Sequence, residues 1–247
     1  MAVSVDTVYQ TVLAIANKEQ RGYLTPQEFN LLANQAQMEI FEQYFYDINQ
    51  FKRLPGSEAR TNDMVDLIQD KLDQTFLTLY DLNSNGGSVE LPQDFYRLST
   101  AVIFNDNNNM RSTVEIMTRA EAEEINNSGP LTKPRISIDN KIHNPIGFLR
   151  GNKLQISPSS SAFPGGYATR LSYYRKPKQV KWTYIVVNEK PLFNETAEDR
   201  QHFELHSSEE SDLVLKILQY AGISIKEFGL VRAAGQAEAN VIAQQKQ

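Results

Sequence analysis

Residues 81–98 read DLNSNGGSVELPQDFYRL, and this stretch divides the chain into two kinds of sequence. Its first seven residues are a cluster of Asp, Asn, Ser and Gly, which is typical of a turn. Before it, apolar residues recur every three or four positions, whereas after it short apolar runs are separated by turn residues. A run of helices followed by a run of strands predicts an α+β fold rather than alternating βαβ units.

Residues 1–80 form the predicted N-terminal helical part of the chain. The sharpest signal is Thr25-Pro26-Gln27-Glu28, which places a capping Thr, a Pro at the first helical position and a Glu at the third. A helix is therefore predicted to begin near Pro26 and to end before Pro55-Gly56, and another covers about 62–76. The predicted buried faces consist of Val5, Val8, Val12 and Ile15; Phe29, Leu32, Ala36, Ile40 and Phe41; and Met64, Leu67, Ile68 and Leu72.

Residues 81–206 form a predicted β-rich insertion that contains one short helix. The short helix begins at a second capping box, Thr118-Arg119-Ala120-Glu121. Near the end of the insertion, Trp182, Tyr184 and Val186 fall at alternate positions, which predicts a strand with one buried face. The predicted strands are 87–91, 98–104, 112–117, 135–138, 153–157, 168–174 and 180–187.

Residues 207–247 are predicted to be a closing helix followed by an extended or helical tail. Ser207-Ser208-Glu209-Glu210 matches a third capping box, and Gly222 is placed as the C-terminal cap. The buried stripe between them consists of Leu213, Val214, Ile217 and Leu218. The last dozen residues carry few apolar side chains, so the tail is expected to fray unless it binds a partner.

Composition excludes several classes of protein. The chain has no cysteine, which rules out disulfides and thiolate metal sites. Its net charge is -5 and it has no run of five like charges, so the sequence indicates no broad basic surface for nucleic acid. The first twenty residues do not resemble a signal peptide, and no stretch approaches the roughly 20 apolar residues that a membrane helix needs. We therefore expect no membrane association.

Catalytic, cofactor-binding and metal-binding residues are not predicted anywhere in the sequence. Asp81-x-Asn83-x-Asn85-Gly86 matches the first half of a calcium loop, but Pro92 stands where the bidentate Glu is required. His202 and His206 lie within an alternating, strand-like stretch and lack the HExxH arrangement. Phosphate-binding glycine loops and a Gly-x-Ser-x-Gly elbow are absent from the sequence. A non-enzymatic protein is predicted; the open alternatives are a hydrolase with a dispersed site and a saccharide- or peptide-binding module.

Two segments resemble a known family of virion proteins. The stretch 89–99, VELPQDFYRLS, is similar to the entry into the β-rich part of phage connector proteins. The stretch 203–222, in which a short strand leads into a capped helix, is similar to their return to a C-terminal helix. The order of helical part, β insertion, closing helix and polar tail resembles the head-to-tail adaptors, or tail tubular proteins, of short-tailed and crAss-like bacteriophages.

The resemblance implies a structural virion protein that is assembled in the host cytoplasm. It implies a homo-oligomeric ring of twelve copies below the portal protein, with downstream tail or ring proteins on the other side. Double-stranded DNA would pass through the channel without sequence-specific binding. The tail would dock on the portal through its apolar residues, which are Phe228, Leu230, Val231, Val241 and Ile242. Another tail-ring protein or a minor capsid protein is the alternative within the same class.

Overall fold

A computed structural model describes residues 2–18, 24–51, 58–83, 87–105, 110–129, 132–137, 141–162, 166–188, 190–224 and 236. These residues divide into two compact units. The first unit is built from the ends of the chain, within Met1–Thr75 and Pro177–Gln247, and the second from the middle, within Phe76–Lys176. Each unit is described by itself below.

Within the described residues, the chain forms helices and strands in the order that the sequence predicts. The five helices are α1 (Val5–Lys18), α2 (Pro26–Phe51), α3 (Glu58–Phe76), α4 (Arg119–Asn126) and α5 (Glu210–Ser224). The first seven strands are β1 (Ala2–Val3), β2 (Leu77–Asn83), β3 (Ser88–Glu90), β4 (Phe95–Asn105), β5 (Met110–Thr113), β6 (Glu115–Ile116) and β7 (Arg135–Ile136). The remaining seven are β8 (Ile142–His143), β9 (Ile146–Arg150), β10 (Lys153–Ser157), β11 (Ala168–Arg175), β12 (Tyr184–Val187), β13 (Lys190–Phe193) and β14 (Phe203–His206). The mixture confirms the predicted α+β class.

The first unit packs its helices through most of the apolar residues that the sequence predicts, but Ile15 and Leu67 are exposed and Leu32 is half-buried, so the prediction is wrong at these three positions. The core-facing side of α2 carries residues that recur every three or four positions, with Ile40 and Phe41 adjacent at its end, and all of them are buried: Phe29, Ala33, Ala36, Ile40 and Phe41. α5 contributes Leu213 and Ile217, both fully buried. The short strands β1 and β14 pair antiparallel and so join the two ends of the chain. Within the described chain, no helix is long and apolar enough to cross a membrane.

The second unit contains two four-stranded sheets around one hydrophobic core. One sheet has the order β2-β11-β4-β5 and the other β3-β10-β9-β6. Ile103 and Leu171 of the first sheet and Val89 and Leu154 of the second lie in the same buried cluster. Gly87 immediately precedes β3 of the second sheet, at a position that only glycine fits. Its φ is +84°, and a Cβ there would lie 2.8 Å from the Ile156 carbonyl oxygen.

Two of the three predicted capping boxes are confirmed, and the third is wrong. The Glu28 carboxylate accepts from the Thr25 N–H at 3.0 Å, while the Thr25 hydroxyl accepts from the Glu28 N–H at 3.3 Å. The same reciprocal pair joins Thr118 and Glu121. At the third position, residues 207–209 form a 3-10 turn whose cap is His206. The imidazole Nδ1 of His206 accepts the Ser208 N–H at 3.2 Å, so the predicted Ser207 cap is displaced by one residue.

Some predicted boundaries differ from the structure. The turn predicted at 81–87 is wrong for residues 81–83, which belong to β2, where the Asp81 carboxylate binds the Arg170 guanidinium at 2.6 and 2.7 Å; residues 84–86 lie outside the described residues. The predicted cap Gly222 lies inside α5, which continues to Ser224. The predicted insertion ended at residue 206, whereas residues 177–206 group with the helical unit. That difference arises because Lys178, Val180 and Trp182 bind α2.

Candidate interaction surface

A row of amide side chains lies along one face of α2. Asn30, Asn34 and Gln37 are spaced four and three residues apart, so they follow one another on the helix surface. We call these three residues the amide row. Gln37 is buried, because it lies four residues after Ala33 and four before Phe41 and so shares their core-facing side of α2 despite its polar side chain. Buried amides need hydrogen-bonding partners, and the amide row finds them in the extended chain 178–182.

The amide row binds this extended chain as a neighbouring strand would. The Asn34 side chain donates to the Val180 carbonyl at 2.9 Å and accepts the Val180 N–H at 2.6 Å. Asn30 makes the same pair of bonds with Trp182, at 3.2 and 2.8 Å. Gln37 donates to the Lys178 carbonyl at 2.9 Å. Side chains of a helix therefore satisfy both backbone groups of Val180 and Trp182 and the carbonyl of Lys178.

The row also reaches β14, the last strand of the first unit. The Gln37 carbonyl oxygen accepts the Glu204 N–H at 2.9 Å, and the Glu204 carboxylate accepts the Lys178 N–H at 2.8 Å. Gln37 thus links two separate stretches of backbone through one buried amide. Such a side chain is costly to replace, because each lost bond leaves a buried backbone group unpaired.

Trp182 anchors the extended chain in the core of the first unit. Only 1% of its surface is exposed, and its indole N–H donates to the Asp6 carboxylate at 3.0 Å. Its ring centroid lies 4.2 Å from that of Tyr9, which makes an edge contact with Phe29. The contacts bring together α1, α2 and the extended chain. Trp182 is therefore the point where the amide row and the hydrophobic core meet.

Beyond Trp182 the chain continues into an antiparallel hairpin made of β12 and β13. Asn188, in the turn, has a φ of +49°, a left-handed conformation that Asn tolerates better than most residues. The base of the hairpin is held by stacking of Trp182 on Tyr184 and Phe193, with centroid distances of 5.7 and 5.9 Å. The Asn194 N–H also donates to the Thr183 carbonyl at 2.9 Å.

Both faces of the hairpin expose apolar side chains. All four residues of β12 are exposed, and Leu192 of β13 is 50% exposed. The exposed fractions along β12 are 36% for Tyr184, 51% for Ile185, 66% for Val186 and 44% for Val187. The predicted half-buried strand 180–187 is therefore confirmed as a strand only at residues 184–187, and there the predicted burial of one face is wrong. Its alternation is real up to Trp182, but no described element covers either face of β12.

The ionisable groups around α5 serve to join helices. The Lys71 ammonium lies 2.6 Å from the Glu209 carboxylate, which also accepts from the Ser208 hydroxyl at 3.1 Å. Burial, together with the nearby Glu209 carboxylate, raises the pKa of Tyr44. Lys71 lies on α3, Tyr44 on α2, and Glu209 immediately before α5. The buried carboxylate therefore has a structural partner and belongs to the packing of the first unit.

A second such pair joins α2 to α5. The Glu39 carboxylate accepts from Lys216 at 3.1 Å and from the Tyr220 hydroxyl. Burial works to raise the pKa of Glu39, but the hydrogen bonds from Tyr220 and Lys216 outweigh it and lower the pKa below its usual value. The carboxylate therefore stays charged and holds the two helices together.

The histidines that the sequence analysis considered as a metal pair each stabilise the start of a helical segment instead. His202 accepts the N–H of Val5, the first residue of α1, at 3.2 Å, and His206 caps the turn before α5. Among the described residues, no three His, Asp or Glu side chains come close enough together to hold a metal ion.

The predicted portal-docking residues lie outside the described residues. They are Phe228, Leu230, Val231, Val241 and Ile242. The hairpin was not among the predicted site residues. The sequence signal for the hairpin is the run Tyr184-Ile185-Val186-Val187. A strand with one exposed face would carry a polar residue at every second position, and this run carries none. The chain matches no protein-family model, and no curated protein matches it.

Proposed function

We propose that this chain is a structural subunit that assembles with copies of itself into a ring. In this proposal the ring is a head-to-tail adaptor, placed below the portal of a tailed bacteriophage and around the path of its DNA. The family resemblance of residues 89–99 and 203–222 supports the identity of the ring. The tail residues 228, 230, 231, 241 and 242 are its proposed portal contacts.

The single observation that supports assembly is the exposed apolar hairpin. Soluble monomers rarely leave a contiguous apolar surface in water, and such surfaces mark protein interaction sites. A two-stranded hairpin with both faces solvated is also marginally stable by itself. Here it is attached to the core of the first unit through Trp182 and the amide row, which gives it a fixed point of attachment. A hairpin presented in this way is suited to contact a neighbouring subunit.

The mass of the purified chain in solution tests the proposal. We expect light scattering across a concentration series to detect assembly, and negative-stain images of the assembled fraction to show closed rings with a central channel. Added portal protein should increase the ring fraction. A chain that remains monomeric at every concentration, with and without portal protein, would contradict the proposed function and would favour the enzyme or binding-module alternatives.

A further inference from the structure

Strand β12 has an edge that faces away from its partner strand β13, and some of its backbone groups point out from that edge. In an antiparallel pair, successive residues of a strand direct their N–H and C=O groups alternately toward and away from the other strand. Thr183 faces Asn194, and Lys181 exchanges backbone bonds with Gln201 at 3.1 and 3.3 Å. Odd-numbered residues therefore face inward. Tyr184 and Val186 direct their backbone groups outward, along the edge of β12.

The outward backbone groups of Tyr184 and Val186 follow, along the same edge of the chain, those of Val180 and Trp182, which the amide row binds. Val180 and Trp182, also even-numbered, are bound by Asn34 and Asn30. The row stops there, because Asn30 lies about one turn from the start of α2. Within the described part of the chain, no side chain or strand takes over at Tyr184 and Val186. The same edge is thus satisfied by the protein itself at two positions and open at the next two.

The other edge of the hairpin is protected against pairing. Pro191 stands opposite Val186, at a position whose backbone nitrogen points outward, and proline has no N–H to offer. Lys190 precedes it and adds a charge. Natural proteins use proline and lysine in this way to prevent edge-to-edge association. β12 carries neither residue, so only one edge of the hairpin is available to a further strand.

A second open edge of the same character lies in the second unit. Among the described strands, β2 pairs only with β11, which leaves its other edge unpaired. Leu79 and Tyr80 of β2 are 66% and 40% exposed, and they lie on opposite faces, like neighbouring residues of β12. β2 contains no proline, and its one charged residue, Asp81, is bound by Arg170 of the neighbouring β11. The opposite edge strand of that sheet, β5, carries the exposed Arg111.

We propose that the outward edge of β12 pairs, through backbone hydrogen bonds at Tyr184 and Val186, with the open edge of β2 in a second copy of the chain. Each copy supplies one open edge of each kind, so the contact is heterologous and repeats from subunit to subunit. Such a contact can repeat from copy to copy, as the proposed ring requires. This inference rests on the proposed function, because it names the contact by which the ring would form.

Introduced cysteines test the pairing directly, since the chain has none of its own. Val186→Cys is mixed under mild oxidation with Leu79→Cys or with Tyr80→Cys, which cover the two faces of β2. We expect a covalent heterodimer between Val186→Cys and one of the β2 variants. A chain carrying both changes should give a ladder of larger products. Leu192→Cys, at a position that is 50% exposed but on the protected strand, is the matched control and should not cross-link to β2.

Dominant cross-linking of Val186→Cys to itself would overturn the proposal, because it would place two β12 edges in a closed dimer. Cross-linking of Leu192→Cys to β2 with equal yield would overturn it as well, since the contact would then be unspecific. These outcomes leave the proposed ring untouched, because a ring can form through other surfaces.

A pair of substitutions separates backbone pairing from apolar contact. Val186→Pro removes the outward N–H without removing a bond within the hairpin, and the proline opposite shows that such a position accepts the ring. Val186→Thr keeps the N–H and the shape. We expect Val186→Pro to lower the assembled fraction at least tenfold and Val186→Thr to leave it within twofold, estimates that correspond to about 1.4 kcal/mol per factor of ten.

The thermal unfolding of the chain, measured at a concentration where it is monomeric, shows that each variant is folded. Normal assembly of a folded Val186→Pro variant would overturn this inference and leave the proposed function standing. A wild-type chain that never assembles would contradict the proposed function itself, so the two failures are distinguishable.

Discussion

Residues 178–182 and 184–187 are consecutive parts of one extended segment, yet their surroundings differ completely. In the first part, Val180 and Trp182 are buried and their outward backbone groups are bound by side chains of α2. In the second part, all four residues are exposed and the same groups face solvent. Each part nevertheless carries a valine and an aromatic residue at successive even-numbered positions, Val180 and Trp182 in the first part and Tyr184 and Val186 in the second.

The difference shows that burial of this strand is decided by the helix beside it. α2 begins at Pro26 and supplies Asn30, Asn34 and Gln37 to the first part only. Asparagine and glutamine carry a donor and an acceptor on one short side chain, so each can satisfy both backbone groups of one residue. The second part lies beyond the reach of the amide row, and it therefore needs a partner from elsewhere. The following predictions test this contrast, from the largest expected effect to the smallest.

Trp182→Ala removes the residue that fixes the first part to the core. We expect the free energy of unfolding to fall by about 3–5 kcal/mol, the usual cost of truncating a buried aromatic side chain. Denaturant unfolding followed by circular dichroism measures the loss. Trp182→Phe keeps a stacking ring but loses the bond to Asp6, so it should cost less than Trp182→Ala. Equal losses for the two variants would contradict the role given to ring packing.

Asn34→Ala removes both bonds that α2 makes to Val180. A buried N–H and C=O are then left without partners, which we expect to cost about 1–3 kcal/mol. The matched control is Leu31→Ala on the same helix, whose side chain is 73% exposed and should change the stability by no more than about 0.5 kcal/mol. A loss at Asn34 as small as that at Leu31 would show that the amide row does not hold the strand.

The sequence predicted the helix and the strand of this contrast better than it predicted which side chains bind the strand. The start of α2 was predictable, because the signals at Thr25, Pro26 and Glu28 are local and act within one helical turn. The strand character of residues 184–187 was predictable for the same reason, whereas residues 180–183 belong to no strand. The amide row was not, because Asn30, Asn34 and Gln37 look like ordinary surface residues until their partners 141 to 167 residues away are known.

The unit boundaries escaped prediction for a related reason. The change from helical to strand-like sequence near residue 81 is local and was found, although β2 begins earlier, at Leu77. The return of the chain at Pro177 was not found, because residues 177–206 look like strands and yet pack with helices. Secondary structure follows local patterns, whereas membership of a unit is decided by long-range contacts.

Thr25→Ala weakens the end of α2 from which the amide row starts. Loss of the capping bond to the Glu28 N–H should cost about 1 kcal/mol. The first bond to loosen should be that between Asn30 and Trp182, so amide exchange at Trp182 should accelerate more than at Val180. Thr25→Ser retains the hydroxyl and is the control. Similar acceleration at both amides would indicate that α2 loosens as a whole and not from its first turn.

The same cap predicts a pH dependence. The hydrogen bond from the Thr25 hydroxyl, and then the one from its N–H, lower the pKa of Glu28 in the folded chain. A lowered folded-state pKa adds stability that is present above the unfolded-state pKa and is lost as the pH falls through the folded-state value. Unfolding measured from neutral to acidic pH should therefore show a smaller acid-induced loss at this site in Thr25→Ala than in the wild type.

Val186→Ala should have the smallest effect on the stability of the monomeric chain, and it is the sharpest test of the contrast. Val180 and Val186 are the same residue type at equivalent alternate positions of one segment, but Val180 is 2% exposed and Val186 is 66% exposed. Val180→Ala should cost about 2 kcal/mol through lost burial, whereas Val186→Ala should change the free energy of unfolding by at most about 0.5 kcal/mol.

Denaturant midpoints at a dilution where the chain is monomeric measure both free energies of unfolding. Under conditions of assembly the difference between the two free-energy losses should become smaller, because Val186 then becomes buried against the neighbouring copy. If Val186→Ala costs as much as Val180→Ala in the monomer, the hairpin is already covered within its own chain and is not available to a partner.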